Sequence, residues 1–269
     1  YLCRIFISSL YCFSNSLYLT LSLLIILSSL IIQVILLSII RFSSALLIFF
    51  FSFFSFIFSK YSLKLYSYLL KCREKIISQF EDISKPFNLQ IRNILWYSYT
   101  IQLDIDSNIL DDEEIIDITS YEKSNVTPIL NFFTTLEPLN PEWISYLKNC
   151  ISIFNKSSHM LPLFENKNSE IFRYLHNIAI YFIWRYFLKG VFDNNILQKV
   201  KFMAVSVSVI KILFFSKWIE TNTLTFKDCI EIVKNFSKEI EYCEENLQKL
   251  DDVFNNSNDF SINNLIGLF

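Results

Sequence analysis

Gly190 and Gly267 are the only glycines in a chain of 269 residues, and that scarcity narrows the folds open to it more than any motif does. Glycine supplies the positive-φ and close-approach positions on which sandwich turns and nucleotide-binding loops depend. With only five prolines as well, the sequence predicts helices joined by short polar turns, an all-α, bundle-like domain. A Gly-rich Rossmann loop for a nucleotide is excluded. The formal net charge of −2 supplies no basic field for phosphates, so no nucleic-acid partner is expected. Heavy use of Phe, Ile, Asn, Lys and Tyr is the composition of an AT-rich genome.

The composition breaks near residue 60. Residues 1–59 carry two charges, Arg4 and Arg41, and no carboxylate precedes Glu74. Leu17 to Ile40 is an uncharged run long enough to cross a bilayer as a helix, and Phe42 to Phe58 nearly matches it. Lys60, Lys64, Lys71, Arg73 and Lys75 follow, which would leave the C-terminal part in the cytoplasm. Membrane contact is thus expected through residues 17–58. Yet the apolar stretch from Ile5 to Ser59 is too long for one span at about 1.5 Å per residue, and no Gly, Pro, Asn or Asp turns it after Gln33. A signal peptide fits no better, because its apolar region runs to only about 7–15 residues. The low-complexity text "FFFSFFSFIF" is also what out-of-frame translation of an AT-rich gene yields. A membrane anchor, a segment outside the native reading frame and a buried hairpin all remain open. The expected organisation is an anomalous apolar segment, 1–59, and a helical domain, 60–269. The domain would be cytoplasmic, or anchored to a membrane from the cytoplasmic side.

From Lys60 the chain reads as an amphipathic protein. Pro86 in "SKPF" stops a first helix. The acidic stretch 104–125 reads as a surface connection holding a short helix, and Asp111, Asp112, Glu113 and Glu114 as a solvated face, since no EF-hand glycine accompanies them. "TPILNFFTTLEPLNPEWISYLKNCISIF" gives two helices separated by Pro138 and Pro141, with Asn140 as a cap. Phe172, Leu175, Ala179, Phe182 and Tyr186 mark one face of a helix ending at Gly190. "FDNNILQKVKFMAVSVSVIKILFFSKWIE" is apolar nearly all round, with Asp193 or Asn194 at its N-cap. Lys199, Lys201, Lys211 and Lys217 make a membrane crossing costly there, so it reads as the buried core helix of a bundle.

In the last stretch Thr225 and Asp228 form a capping box. Cys229, Val233, Phe236, Ile240, Cys243, Leu247, Leu250 and Phe254 then recur at alternating steps of four and three, the seam of one long packed helix. Glu239, Tyr242 and Asn246 would share a polar stripe beside that seam, while Glu241, Glu244 and Glu245 would point toward solvent. The stripe reads either as an active-site edge or as the wet side of a packed helix. The six cysteines show no CxxC spacing and read as buried reduced thiols. Two histidines, His159 and His176, are too few for a His-based metal site, and His176 reads as a core or edge residue.

Residues 181–210 and 236–254 together resemble the C-terminal half of the flagellin lysine-N-methylases. The matching residues are Arg185, Tyr186, Phe187, Lys201, Phe202, Ser237, Lys238, Glu239, Glu241, Glu245 and Asn246, and "LEPLNPEWISYL" (136–147) resembles the family's upstream Trp-containing helix. The resemblance implies methyl transfer from S-adenosylmethionine to flagellin lysines, with flagellin as partner. It makes Glu239, Tyr242, Asn246 and Arg185 the catalytic candidates, and Tyr181, Tyr186 and Tyr242 candidate walls of a slot for the methyl group. No cofactor-binding residue can be assigned. Tyr242 stands where the family's histidine is expected, and a phenol is a poor proton acceptor at neutral pH. The family's cysteine cluster, which implies an iron–sulfur centre, is matched only by Cys3 as a remnant. An incomplete or inactive methylase relative is therefore the first reading. A non-enzymatic, membrane-anchored helical subunit of a bacterial or organellar complex is the alternative.

Overall fold

The computed structural model describes the backbone of residues 44–269 apart from 83, 112 and 113, and side chains from residue 62 onward. Cys3 and most of the 17–58 segment lie outside the described residues. The chain divides into two compact units, Tyr1–Tyr61 and Ser62–Phe269. Helix α1 runs over Ser44–Glu81, and the second unit takes it in from Ser62.

That second unit is all helical, with no strand among its described residues. Its further elements are α2 (Phe87–Ser107), α3 (Thr127–Phe133), α4 (Trp143–Ser157), α5 (Leu161–Lys167), α6 (Glu170–Tyr186), the short α7 (Gly190–Asp193), α8 (Ile196–Thr221), α9 (Phe226–Phe236), α10 (Glu244–Asn256) and α11 (Ile262–Ile266). Helix α8 is the spine: α2, α3, α4, α5, α6, α9, α10 and α11 all pack on it. It is long and apolar enough to cross a membrane, but its most apolar window is 89% buried within the protein. Each lysine on it has a partner. The Lys199 and Lys211 ammonium groups meet Asp193 and Glu165 at 2.5 Å, Lys217 lies 3.8 Å from Asp228, and Lys201 donates to the Phe254 carbonyl at 2.7 Å. A helix apolar on every face is stable in water only when neighbours cover every face, and here they do.

The helix boundaries refine several expectations. Asn195, not Asp193 or Asn194, caps α8, its side chain accepting from the Gln198 N–H. Asn194 instead takes the left-handed conformation that closes α7, at φ 55°. Asn tolerates that region better than most residues because its short side chain bonds locally. The helix carrying Phe172 and Tyr186 does not run on to Gly190, because a 3-10 turn, Phe187–Lys189, follows Tyr186. The Thr225–Asp228 capping box is present in full. Asn140, expected as a cap, is not the N-cap of α4: Glu142 holds that position without a side-chain cap bond, and Asn140 instead turns the chain just before it, its side chain accepting from Glu142 N–H and its carbonyl from Trp143 N–H.

The acidic stretch opens in the last turn of α2, 104–107, and carries no separate short helix: the described residues from Ile109 to Asn125 form a strap without regular secondary structure. Buried polar groups on α2 hold it there. Asn93 donates to Asp117 and accepts from Ile118 N–H, and Arg92 donates to the carbonyls of Ile118 and Phe269. These bonds replace the backbone pairing a helix would have supplied. Gly267 packs against the same strap, and a Cβ on it would run into the Glu122 carbonyl and the Ser124 hydroxyl. Its φ is −66°, so it is close approach, not conformational freedom, that requires glycine.

Candidate functional site

The long terminal helix expected from the seam is interrupted. Helix α9 ends at Phe236, Ser237–Glu241 form a single π-helical turn, and α10 begins only at Glu244. The apolar positions remain inward: Phe236, Ile240, Cys243, Leu250 and Phe254 are all buried, and Val233 and Leu247 partly so. The polar ones do not keep the expected stripe. A π turn adds a residue to the turn and rotates the residues after it, so Glu239 and Asn246 go inside while Tyr242 is 70% exposed. Glu241, expected in solvent, is buried as well, whereas Glu244 and Glu245 are exposed as expected.

The two buried carboxylates have different company. Glu239 accepts from the backbone N–H groups of Leu139 (2.7 Å) and Asn140 (3.1 Å) in the α3–α4 connection. Asn246 closes the same junction: its Oδ1 accepts from Glu137 N–H at 2.7 Å, and its Nδ2 donates to the carbonyls of Glu137 (2.8 Å) and Glu239 (3.0 Å). Glu239 and Asn246 therefore act together as a clamp on the 137–140 loop.

Glu241 faces α6. Its Oε2 accepts from the phenols of Tyr186 (2.8 Å) and Tyr181 (3.1 Å), and the Arg185 Nε lies at 3.5 Å. Arg185 Nε also donates to the Tyr186 oxygen at 3.1 Å. The other oxygen, Oε1, accepts from Ser237 one turn back, and Ser237 is its only donor among the described residues. Burial, reinforced by the Glu241 charge, pushes both phenols well above their ordinary pKa. They stay protonated and act as donors. Of the four catalytic candidates, then, Glu239 and Asn246 meet at the loop, Arg185 joins Glu241 instead, and Tyr242 stands outside both groups. Tyr181 and Glu241 belong to the second group, Glu241 against the expectation from helical spacing. The sign in the sequence was an apolar seam carrying two glutamates only two positions apart.

A slot of about 250 Å³ lies between α6, α8 and α9 and borders this group. Ile178, Phe182, Ile210, Val233 and Phe236 form apolar walls, Asn177 stands at the exposed rim, and Ser237, Tyr181 and Glu241 make the polar part. A second cavity, about 550 Å³, lies between α2, the strap and α11 and shares no residue with the first. Among the described residues no three His, Cys, Asp or Glu side chains gather as a metal site. Cys150 and Cys229 are buried thiols whose pKa burial raises to about 11, the inert kind.

Fold and site together define a class: an all-helical domain whose π turn carries a buried carboxylate beside an apolar slot. The FliB lysine N-methylase C-terminal domain matches residues 64–268, and the chain belongs to that family. No curated protein and no solved structure matches it.

Proposed function

We propose that this chain serves in the N-methylation of lysine side chains of flagellin, with S-adenosylmethionine as methyl donor, in the cytoplasm. The observation that carries the reading is the π turn. Such turns gather at functional sites, this one coincides with the Ser-Lys-Glu-Ile-Glu stretch shared with the family, and it places Glu241 among Tyr181, Tyr186 and Arg185.

Methyl transfer would break the donor's sulfonium S–CH3 bond and form N–CH3 on the lysine amine, whose proton has first passed to a base or to solvent, and would release the neutral thioether. The residues around Glu241 do not fit the donor as well as the substrate. Their slot is smaller than the ~300–1,000 Å³ usual for small-ligand pockets, which suits one side chain. The larger cavity has ligand dimensions but shares none of these residues. Nor do the described cysteines, on separate elements, offer a seat for an iron–sulfur cluster, which needs grouped thiolates.

The test is transfer of labelled methyl from S-adenosylmethionine to flagellin by the full chain, alone and together with cell extract that supplies any missing component. Lysine-specific incorporation that falls at least ten-fold in Glu241→Gln is expected. Absence of incorporation in both settings would refute the proposal.

A further inference from the structure

We infer that the α6–α8–α9 slot is the receptor for the substrate lysine's side chain, with Glu241 Oε1 as the acceptor for its ammonium; this deepens the methylase reading above and rests on it. The two carboxylate oxygens are unequally used. Oε2 accepts from two phenols, Tyr181 and Tyr186, with the Arg185 Nε beside it at 3.5 Å, and this fixes the carboxylate's plane. Oε1 carries one, from Ser237, although a carboxylate oxygen has room for two. Ser237, Glu241 and Tyr181, the last a donor to Oε2, line the slot, whereas Tyr186 and Arg185 do not. The slot therefore borders the carboxylate at donors to both its oxygens, and of the two it is Oε1 that has acceptor capacity to spare.

The rest of the slot has the complementary chemistry. A lysine side chain is four methylenes ending in three N–H donors. Five apolar residues wall the passage, and a carboxylate whose side chain is only 1% exposed borders it. A buried carboxylate is costly unless paired; its ion-pair partner among the described residues, Arg185, is 40% exposed and meets Oε2 at 3.5 Å, and Lys189, over the Tyr186 ring, acts on it only from farther off. An incoming ammonium would complete the pairing. Arg185 is then a positioning residue: it holds Glu241 in place and does not touch the substrate.

The probe is n-butylammonium, the side chain of lysine without its backbone, titrated into the full chain by ligand-observed NMR, with n-butanol as the uncharged isostere. Saturable binding of the amine at least ten-fold tighter than the alcohol is expected. Glu241→Gln should weaken the amine at least ten-fold and leave the alcohol within two-fold. Asn177→Trp alters only an exposed rim position and keeps the test decisive should Glu241→Gln fail to fold; it should weaken both probes. Equal affinity for the two probes, or amine binding unchanged by Asn177→Trp, would overturn the assignment. The methyl-transfer assay separates the two claims. Amine binding without methyl transfer leaves the slot and removes the methylase reading, whereas methyl transfer indifferent to Asn177→Trp does the opposite.

Discussion

Asn246→Ala isolates what the clamp on the 137–140 loop contributes. The side chain has no solvent exposure and makes three hydrogen bonds, to Glu137 N–H, the Glu137 carbonyl and the Glu239 carbonyl. At a net ~1 kcal/mol each, their loss amounts to about 3 kcal/mol. Two effects modify that figure in opposite directions. Glu137 itself is exposed, so its backbone groups can recover water; the Glu239 carbonyl sits inside the π turn and cannot. A unit of this size loses about 2–4 °C of melting temperature per kcal/mol, so the midpoint should fall by about 6–12 °C. Asn246→Asp should cost at least as much, because it turns a donor facing two carbonyls into a third acceptor. The measurement is a calorimetric or circular-dichroism melt of the full chain. Flagellin methylation per folded molecule, measured well below the midpoint, should change less than two-fold. A melting loss under about 3 °C would refute the clamp, and a ten-fold loss of activity in a variant that melts normally would show that Asn246 acts on the substrate instead.

The two glycines should respond differently to alanine. Gly267→Ala forces a methyl into the Glu122 carbonyl and Ser124 of the strap and should cost about 1–3 kcal/mol by overpacking, whereas at Gly190 the obstacle is the Ile196 side chain, which can rotate away, so the loss should stay under about 1 kcal/mol; urea midpoints of the two variants decide it. His176 packs edge-on against Phe80, with Phe87 close by, and burial holds its pKa below the ordinary value. It stays neutral in the folded state while the unfolded state takes up a proton below about pH 6.5. Stability should therefore fall as pH drops from 6.5 toward the lowered folded pKa and be unaffected by His176 above that window. Urea midpoints at pH 7.5 and 5.5 should show a smaller acid loss in His176→Phe than in the parent, and equal losses would dispose of the argument.

Much of the fold was legible because α8 and the capping box are local. Twenty-six residues that are apolar on every face have few destinations, and four lysines steer them to a protein core. Thr225 and Asp228 meet through one turn of backbone, so their spacing alone predicts the bonds. The strap was less legible because its holders are remote. Nothing in "DDEEIIDITSYEKS" shows that Asn93 and Arg92, more than twenty residues back, will supply its hydrogen bonds. The π turn was hidden for a different reason. Phe236, Ile240 and Cys243 keep steps of four and three across it, so the apolar pattern continues as though the helix did.

That continuity explains why the polar residues, and not the apolar ones, record the irregularity. In an uninterrupted helix, residues 239 and 241 lie about 200° apart, so at most one of them can face a single packed neighbour. The π turn lies between two packed layers, the α3–α4 connection and α6, and each carboxylate finds one of them. Glu239 meets backbone N–H groups that any sequence could present, and it lines neither cavity. Glu241 meets side chains, two phenols and a guanidinium, which only this sequence on α6 can present, and it retains an oxygen bonded only by Ser237. A carboxylate spent on the backbone fixes a loop. One oriented by two phenols with a guanidinium beside them, bordering a slot and with acceptor capacity to spare, is arranged to receive a cation. We accordingly assign the proposed lysine chemistry to Glu241, and to Glu239, the more prominent residue in the helical spacing, a part in the scaffold.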